Sequence, residues 1–367
     1  MTGLERLIQD PSRLGAAGRV GLLTHPAGLT RDFVPAAVAL QRAGVRLERL
    51  YGPEHGVDGS GHAGEAPDLD SDTASGLPAH SLYHKTLPEI TELLRQVDTL
   101  LIDLQDVGVR FYTYISSLWQ VLEASREAGI RVVVLDRPNP IGFGLEGPVL
   151  RPEFRSFVGI AEFPLRHGLT IGEFGHWAAE VLDAQVEVIE TALASYGPGG
   201  LPWVPPSPNL PDLENVLLYP GTCLIEATEA SEGRGTALPF RWAGAPGIDA
   251  HALAARLNRA NLGNVHFRPA YYQPTHSKHA DTPCAGVQVH LTGPLPRALP
   301  VGLALVGALH EQGVELKTDW LQKLVGLPAG EIPLAPETAL EVCAQWEQQA
   351  QAFAHERFAP HWLYARD

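Results

Sequence analysis

Four short apolar runs, each stopping in a cluster of polar residues, constrain the fold of this chain more than any other feature. Arg19 to Thr24, Arg46 to Tyr51, Val97 to Leu104 and Arg131 to Leu135 are rich in leucine and β-branched side chains, the texture of strands buried on both faces of a parallel sheet. Helical spacing fills the gaps at Val34 to Ala43, ended by Gly44, and at about Leu118 to Ala128, ended by Gly129. A further strand is expected at Gln185 to Glu190. This alternation predicts an α/β fold built on a Rossmann-like, doubly wound parallel sheet.

The strand exits carry the chemistry. Thr24, His25 and Pro26 follow the first run, and Gly52, Pro53, Glu54 and His55 the second. Asp103, Gln105 and Asp106 follow the third, and Asp136, Arg137, Pro138, Asn139 and Pro140 the fourth. Ligands of open α/β sheets bind beyond the carboxyl ends of the strands, so four loaded exits predict one shared site. The third is the most explicit. From Asp98 to Tyr114 the chain passes from core to Asp103, Gln105, Asp106, Arg110, Tyr112, Thr113 and Tyr114, with Gly108 as a flexible point and Ser116 and Ser117 as expected helix caps. The loop from Gly52 to Asp72 adds Glu54, His55, His62 and Glu65 among glycines.

Further along, Thr170 and Glu173 form a T-x-x-E capping box, and Arg166 and His167 stand before it, where a helix N-terminus offers an anion site. Trp203 and Asn209, in the rigid WVPPSPNLP segment, suit a sugar-contacting wall. Between Tyr219 and Thr236, Glu226, Glu229, Glu232 and Arg234 alternate with small residues, so several carboxylates are expected around one guanidinium. From Ile248 the texture changes: a helix at His251 to Asn258, strands at Val265 to Tyr272 and Ala285 to Thr292, and helices at Val301 to Gln312 and Ala335 to Phe358. Lys278 and His279 lie on a loop here, and Lys278 is the residue of this half assigned to the site. At 367 residues the chain exceeds the usual single core. Two domains are expected, 1–245 Rossmann-like and 246–367 smaller and α+β.

Composition excludes several functions. A net charge of -15 argues against nucleic acid as a partner. No stretch approaches a membrane span and the N-terminus lacks an apolar signal core, so no membrane partner and a cytoplasmic location are expected. Cys223, Cys284 and Cys343 show no CxxC pairing, which fits a reducing compartment. After the first strand the chain reads THPAG where a dinucleotide fold has GxGxxG, and the histidines show no HExxH spacing. No cofactor and no metal are expected. Oligomeric state has no signature.

Five ordered motifs, GPEHG at Gly52 to Gly56, DLQDVGVRFYTY at Asp103 to Tyr114, LDRPNP at Leu135 to Pro140, PSPNLP at Pro206 to Pro211 and SEGRGT at Ser231 to Thr236, give a chain that resembles the exo-β-N-acetylmuramidase family from about Gly18 to Tyr364. The resemblance implies a cleft between two domains and release of N-acetylmuramic acid from the non-reducing end of peptidoglycan fragments. Glycosidic cleavage needs an acid at the leaving oxygen and a second group at the anomeric carbon. Glu54 is the expected acid and Asp106 or Glu232 the second group, unless the sugar's own acetamide attacks. The expected substrate-binding set is His25, His55, Glu65, Asp103, Gln105, Arg110, Tyr112, Tyr114, Arg137, Asn139, His167, Asn209, Glu226, Arg234 and Lys278. Among these, Arg110, Arg137 and Arg234 are candidates for the lactyl carboxylate. The competing readings are a non-catalytic binder of amino sugars or muropeptides on the same cleft, and a metal-dependent hydrolase.

Overall fold

A computed structural model describes every residue except 63, 66, 69, 295, 296 and 367. After helix α1 (Gly3–Gln9), strand β1 (Val20–Thr24), helix α2 (Ala36–Arg42) and strand β2 (Leu47–Gly52) form the first βαβ unit. Strand β3 (Ala79–Ser81), helix α3 (Leu87–Leu94), strand β4 (Thr99–Asp103), helix α4 (Tyr114–Ala128) and strand β5 (Arg131–Leu135) continue the alternation. A two-stranded ribbon, β6 (Glu146–Val149) with β7 (Pro164–Arg166), precedes helix α5 (Ile171–Leu182) and strand β8 (Glu187–Ile189). The six strands run parallel in the order β3-β2-β1-β4-β5-β8. Strands β1 and β4 are buried at every position, which is why their sequences are continuous apolar runs and do not alternate.

The expected strands fall within one or two residues of those observed. Strand β3 and helix α3 were not anticipated, because AHS carries no apolar run. Helix α4 begins earlier than its serines implied: Thr113 is the N-cap, and Ser116 and Ser117 lie buried inside the helix. Ser116 Oγ donates to the Phe157 carbonyl at 2.7 Å. The Thr170/Glu173 capping box is present.

The second half holds helix α6 (Leu213–Thr222), a 3-10 turn (Cys223–Ala227), strand β9 (Trp242–Ala245), helix α7 (Ala250–Arg259), strands β10 (Val265–Tyr272) and β11 (Cys284–Leu291), and helices α8 (Leu299–Glu311), α9 (Thr318–Val325) and α10 (Pro336–Phe353). Its antiparallel sheet has the order β10-β11-β9. Strand β9 ends at Ala245, within the expected first domain, yet it pairs within this second sheet. A separate apolar cluster packs α7 and α8 onto that sheet, through Leu253, Leu257, Phe267, Val287 and Leu305. The C-terminus then returns to the first half.

That return rests on one carboxylate. Asp136, fully buried at the exit of β5, accepts from Gly172 N at 2.7 Å, Thr170 Oγ1 at 2.8 Å and Tyr364 Oη at 2.5 Å. Burial pushes its pKa up to about 6 from 3.8, outweighing these donors. An acid whose folded pKa exceeds its unfolded value favours folding fully below the unfolded pKa, and that contribution is lost as pH rises through the folded pKa. The denaturation midpoint of wild type relative to Asp136→Asn is therefore expected to be more favourable at pH 4 than at pH 7. An unchanged difference between the two pH values would refute the burial effect.

Candidate active site

Strand exits β2, β3 and β4 open on a cleft of about 520 Å³. Glu54, Tyr83, Lys85 and Thr113 line it from the sheet domain, together with Phe111 and Phe157. Tyr219, Cys223, Glu226, Arg234, Trp320 and Leu324 face them from the second half. The aromatic side chains supply stacking faces suited to a sugar ring. A larger depression of about 950 Å³ lies on the opposite edge, at the amino ends of β5 and β8. Its charges are spent on surface pairs such as Arg131 with Glu187 at 2.5 Å, and the carboxyl-end rule favours the first cleft.

Glu54 is held from two sides. Gly64 N donates to Oε1 at 2.8 Å and Thr113 Oγ1 to Oε2 at 2.6 Å. Burial, followed by the Glu54 charge, raises the pKa of Tyr83, so it remains a neutral phenol. The GPEHG turn that aims Glu54 is fixed by His55. Its φ is 75°, its amide donates to the Glu65 carbonyl at 2.7 Å, and its Nδ1 lies 3.0 Å from the Gly61 carbonyl. Thus His55 shapes the loop that carries Glu54. Glu65 closes the same loop, accepting from His62 N at 3.2 Å.

Glu226 is the other carboxylate lining the cleft among the described residues, 2.7 Å from Arg234 Nη2. Arg234 reaches Glu232 with Nη1 at 2.8 Å and lies over the Phe240 ring. Burial works to lower its pKa, but Glu226 and Glu232 hold it above the ordinary value. Glu232 itself is 1% exposed. Burial works to raise its pKa, yet Arg234 and Lys278 keep it below the usual carboxylate range. Lys278 Nζ sits 3.1 Å from Glu232 Oε2 and donates to the carbonyls of Ile225, Glu226, Thr228 and Ala230. Lys278 therefore fastens the 3-10 turn that presents Glu226, and its donors are occupied by protein.

Several expected site residues are internal braces. Asp106 is buried; its Oδ2 accepts from Gly108 N at 2.7 Å and lies 3.2 Å from His167 Nε2. Neither Asp106 nor Glu232, the expected second catalytic groups, lines the cleft. Asp103 and Arg137 form a buried bidentate pair at 2.6 and 2.8 Å. His25 Nε2 accepts from Gln105 N at 2.8 Å, and burial, then Arg137 and His55, holds its pKa well down, leaving a neutral ring. Gln105 donates to the Asp106 and Pro138 carbonyls, and Asn139 donates to that of Leu169 at 3.0 Å. This network fills the crevice between β1 and β4 that the switch-point rule marks for a ligand.

The aromatic and arginine expectations change likewise. Tyr112 and Tyr114 are buried, with Tyr114 Oη donating to the Pro206 carbonyl at 2.6 Å. Arg110 is fully buried and donates to the carbonyls of Pro148, Phe163, Leu324 and Val325. Arg166 pairs with Glu146 at 2.6 Å, so no free anion site stands before α5. Trp203 packs on Tyr196 away from the cleft, whereas Asn209 lines an adjoining cavity. Among the three candidate lactyl arginines only Arg234 reaches the cleft. Tyr83, Lys85, Phe157 and Trp320 were missed. The exit rule finds Tyr83 and Lys85 once β3 is recognised; Trp320 has no local signal.

Among the described residues no three His, Cys, Asp or Glu side chains converge to hold a metal ion, and no helix is long and apolar enough to cross a membrane. Two carboxylates and an aromatic lining in a cleft beyond a parallel sheet meet the requirements of a glycoside hydrolase. The chain belongs to the exo-β-N-acetylmuramidase family: models described as Exo-beta-N-acetylmuramidase NamZ, N-terminal and C-terminal, match residues 20–214 and 217–364. It is 39% identical to the peptidoglycan β-N-acetylmuramidase NamZ of Bacillus subtilis, over 97% of this chain and 89% of that protein. Two DUF1343 family crystal structures from Bacteroides fragilis share the architecture. One has a TM-score of 0.84 at 29% identity, covering 99% of this chain and 98% of the other. The second has a TM-score of 0.77 at 26% identity, covering 100% and 99%.

Proposed function

We propose that this chain is an exo-acting glycoside hydrolase that releases N-acetylmuramic acid from the non-reducing end of peptidoglycan fragments. The observation that carries this reading is the placement of Glu54 and Glu226 on the lining of one cleft, in a chain of this family. Glu54 is the general acid at the leaving oxygen. Glu226 replaces Asp106 and Glu232 as the group serving the anomeric carbon, and Arg234 Nη2 at 2.7 Å holds it in place. If the substrate acetamide is the nucleophile, Glu226 orients that amide instead. A domain division near the start of α6 is supported by the two family matches, which meet there. A cytoplasmic location is supported by three cysteines that are buried and free.

The test is hydrolysis of the para-nitrophenyl β-glycoside of N-acetylmuramic acid beside its N-acetylglucosamine analogue. Release from the muramic substrate is expected. Binding without release of any sugar would favour a muropeptide-binding protein. Glu226→Gln is expected to lower kcat by about 10²- to 10⁴-fold whatever the leaving group, because the anomeric carbon is common to all substrates. Retention of most of the activity would remove Glu226 from the mechanism.

A further inference from the structure

Beside the cleft lies a second cavity of about 500 Å³, which shares Arg234 and Ser277 with the first and is otherwise lined by His62, Asn209, Thr236 and His276, among prolines. The two lobes differ in charge. The first carries Glu54 and Glu226, whereas none of the described residues lining the second is a carboxylate. A substrate anion meets two glutamates beside Lys85 in the first lobe, and no described carboxylate in the second.

Arg234 alone does not account for such a site. One N–H of each terminal nitrogen is taken by a glutamate and its Nε is buried, so a multidentate hold on a carboxylate calls for further donors. The imidazoles of His62 and His276 supply them, with ring centroids 5.5 Å apart on loops from opposite domains. Their meeting point is fixed by backbone. The Gly235 carbonyl accepts from Thr275 N at 2.8 Å and Thr275 Oγ1 at 3.0 Å. A Cβ at Gly235 would come within 2.5 Å of the His276 carbonyl oxygen. At about 30 Å³ per water, the lobe is much larger than a carboxylate and admits an extended substituent.

We propose that this second lobe is the subsite for a carboxylate-ended arm on the sugar held in the first lobe, with His62, His276 and Asn209 as its donors. The assignment rests on the glycosidase reading and extends it from the sugar to its substituent. The carboxylate has two chemical sources: the lactyl acid itself, or amino acids joined to it through an amide.

The experiment compares three para-nitrophenyl glycosides of the sugar, bearing the free lactyl acid, its neutral methylamide, and a lactyl-linked dipeptide ending in a carboxylate. Wild type should show a KM at least about tenfold lower for an acid-ended arm than for the methylamide, the scale of one charge-assisted hydrogen bond. The double substitution His62→Ala/His276→Ala should abolish that preference and Asn209→Ala should weaken it. All three positions are exposed or half-buried, so folding is not at risk. Lys85→Ala is the counter-test, because Lys85 lines the first lobe. A preference lost in Lys85→Ala and kept in the histidine variant overturns the assignment. Whichever acid-ended arm gives the lower KM names the source, and either order supports the subsite. If wild type cleaves none of the three, the glycosidase reading fails by itself. Calorimetry of free N-acetylmuramic acid against N-acetylglucosamine on the same variants then decides the subsite: weaker binding of the acid in the histidine variant supports it, and unchanged binding overturns it.

Discussion

Glu54→Gln is expected to lower kcat by about 10²- to 10⁴-fold on a disaccharide whose leaving group is an amino sugar, and far less on the para-nitrophenyl glycoside. A sugar alkoxide must be protonated as it departs, whereas a nitrophenolate leaves with little help. Glutamine preserves the shape of the side chain and one acceptor for Thr113 Oγ1 or Gly64 N, so KM and thermal stability should change little. Equal losses on the two substrates would reassign Glu54 to the anomeric carbon. Combined with Glu226→Gln, whose loss is independent of the leaving group, the pair of variants separates the two carboxylates by role.

The second large effect concerns stability. Arg110→Ala is expected to cost about 3–5 kcal/mol, because four buried carbonyls lose a charged donor that nothing nearby replaces. Burial pushes the Arg110 pKa down to about 9, so the guanidinium remains charged at neutral pH. Two of the carbonyls, Leu324 and Val325, end helix α9, where a cation also complements the helix dipole. Helix α9 carries Trp320 and Leu324 of the cleft wall. The folded fraction of the variant should therefore show a raised KM as well. A urea midpoint shifted by less than about 1 kcal/mol equivalent at unchanged m would show that the four bonds contribute little.

Fold and site were legible to different depths. The strands β1, β2, β4 and β5 announce themselves because burial on both faces leaves no room for alternation, and that requirement is written in the residues themselves. Glu54 was legible because a proline-stiffened turn at a strand exit can present only a few side chains. The short strand β3 was not, since three residues inside a sheet edge need no apolar run, and with it Tyr83 and Lys85 passed unnoticed. Trp320 comes from a helix far along the chain whose local pattern carries no sign of a cleft.

The sequence by itself determined the parallel sheet, the clustering of polar residues at its carboxyl edge, the family, and the place of Glu54 at a strand exit. Tertiary structure alone decided which of those polar residues face a ligand and which face one another. Asp103 and Arg137 look equally suited to a substrate until they are seen 2.6 Å apart and buried. Glu232 is indistinguishable from Glu226 in a run of alternating glutamates until Arg234 and Lys278 enclose it. A strand exit fixes where a charged group starts, but buried charge must be neutralised by a partner, and partners here come from as far away as Arg110 and Val325. Spacing along the chain does not encode that choice; the packing of the two halves of the chain around one cleft does.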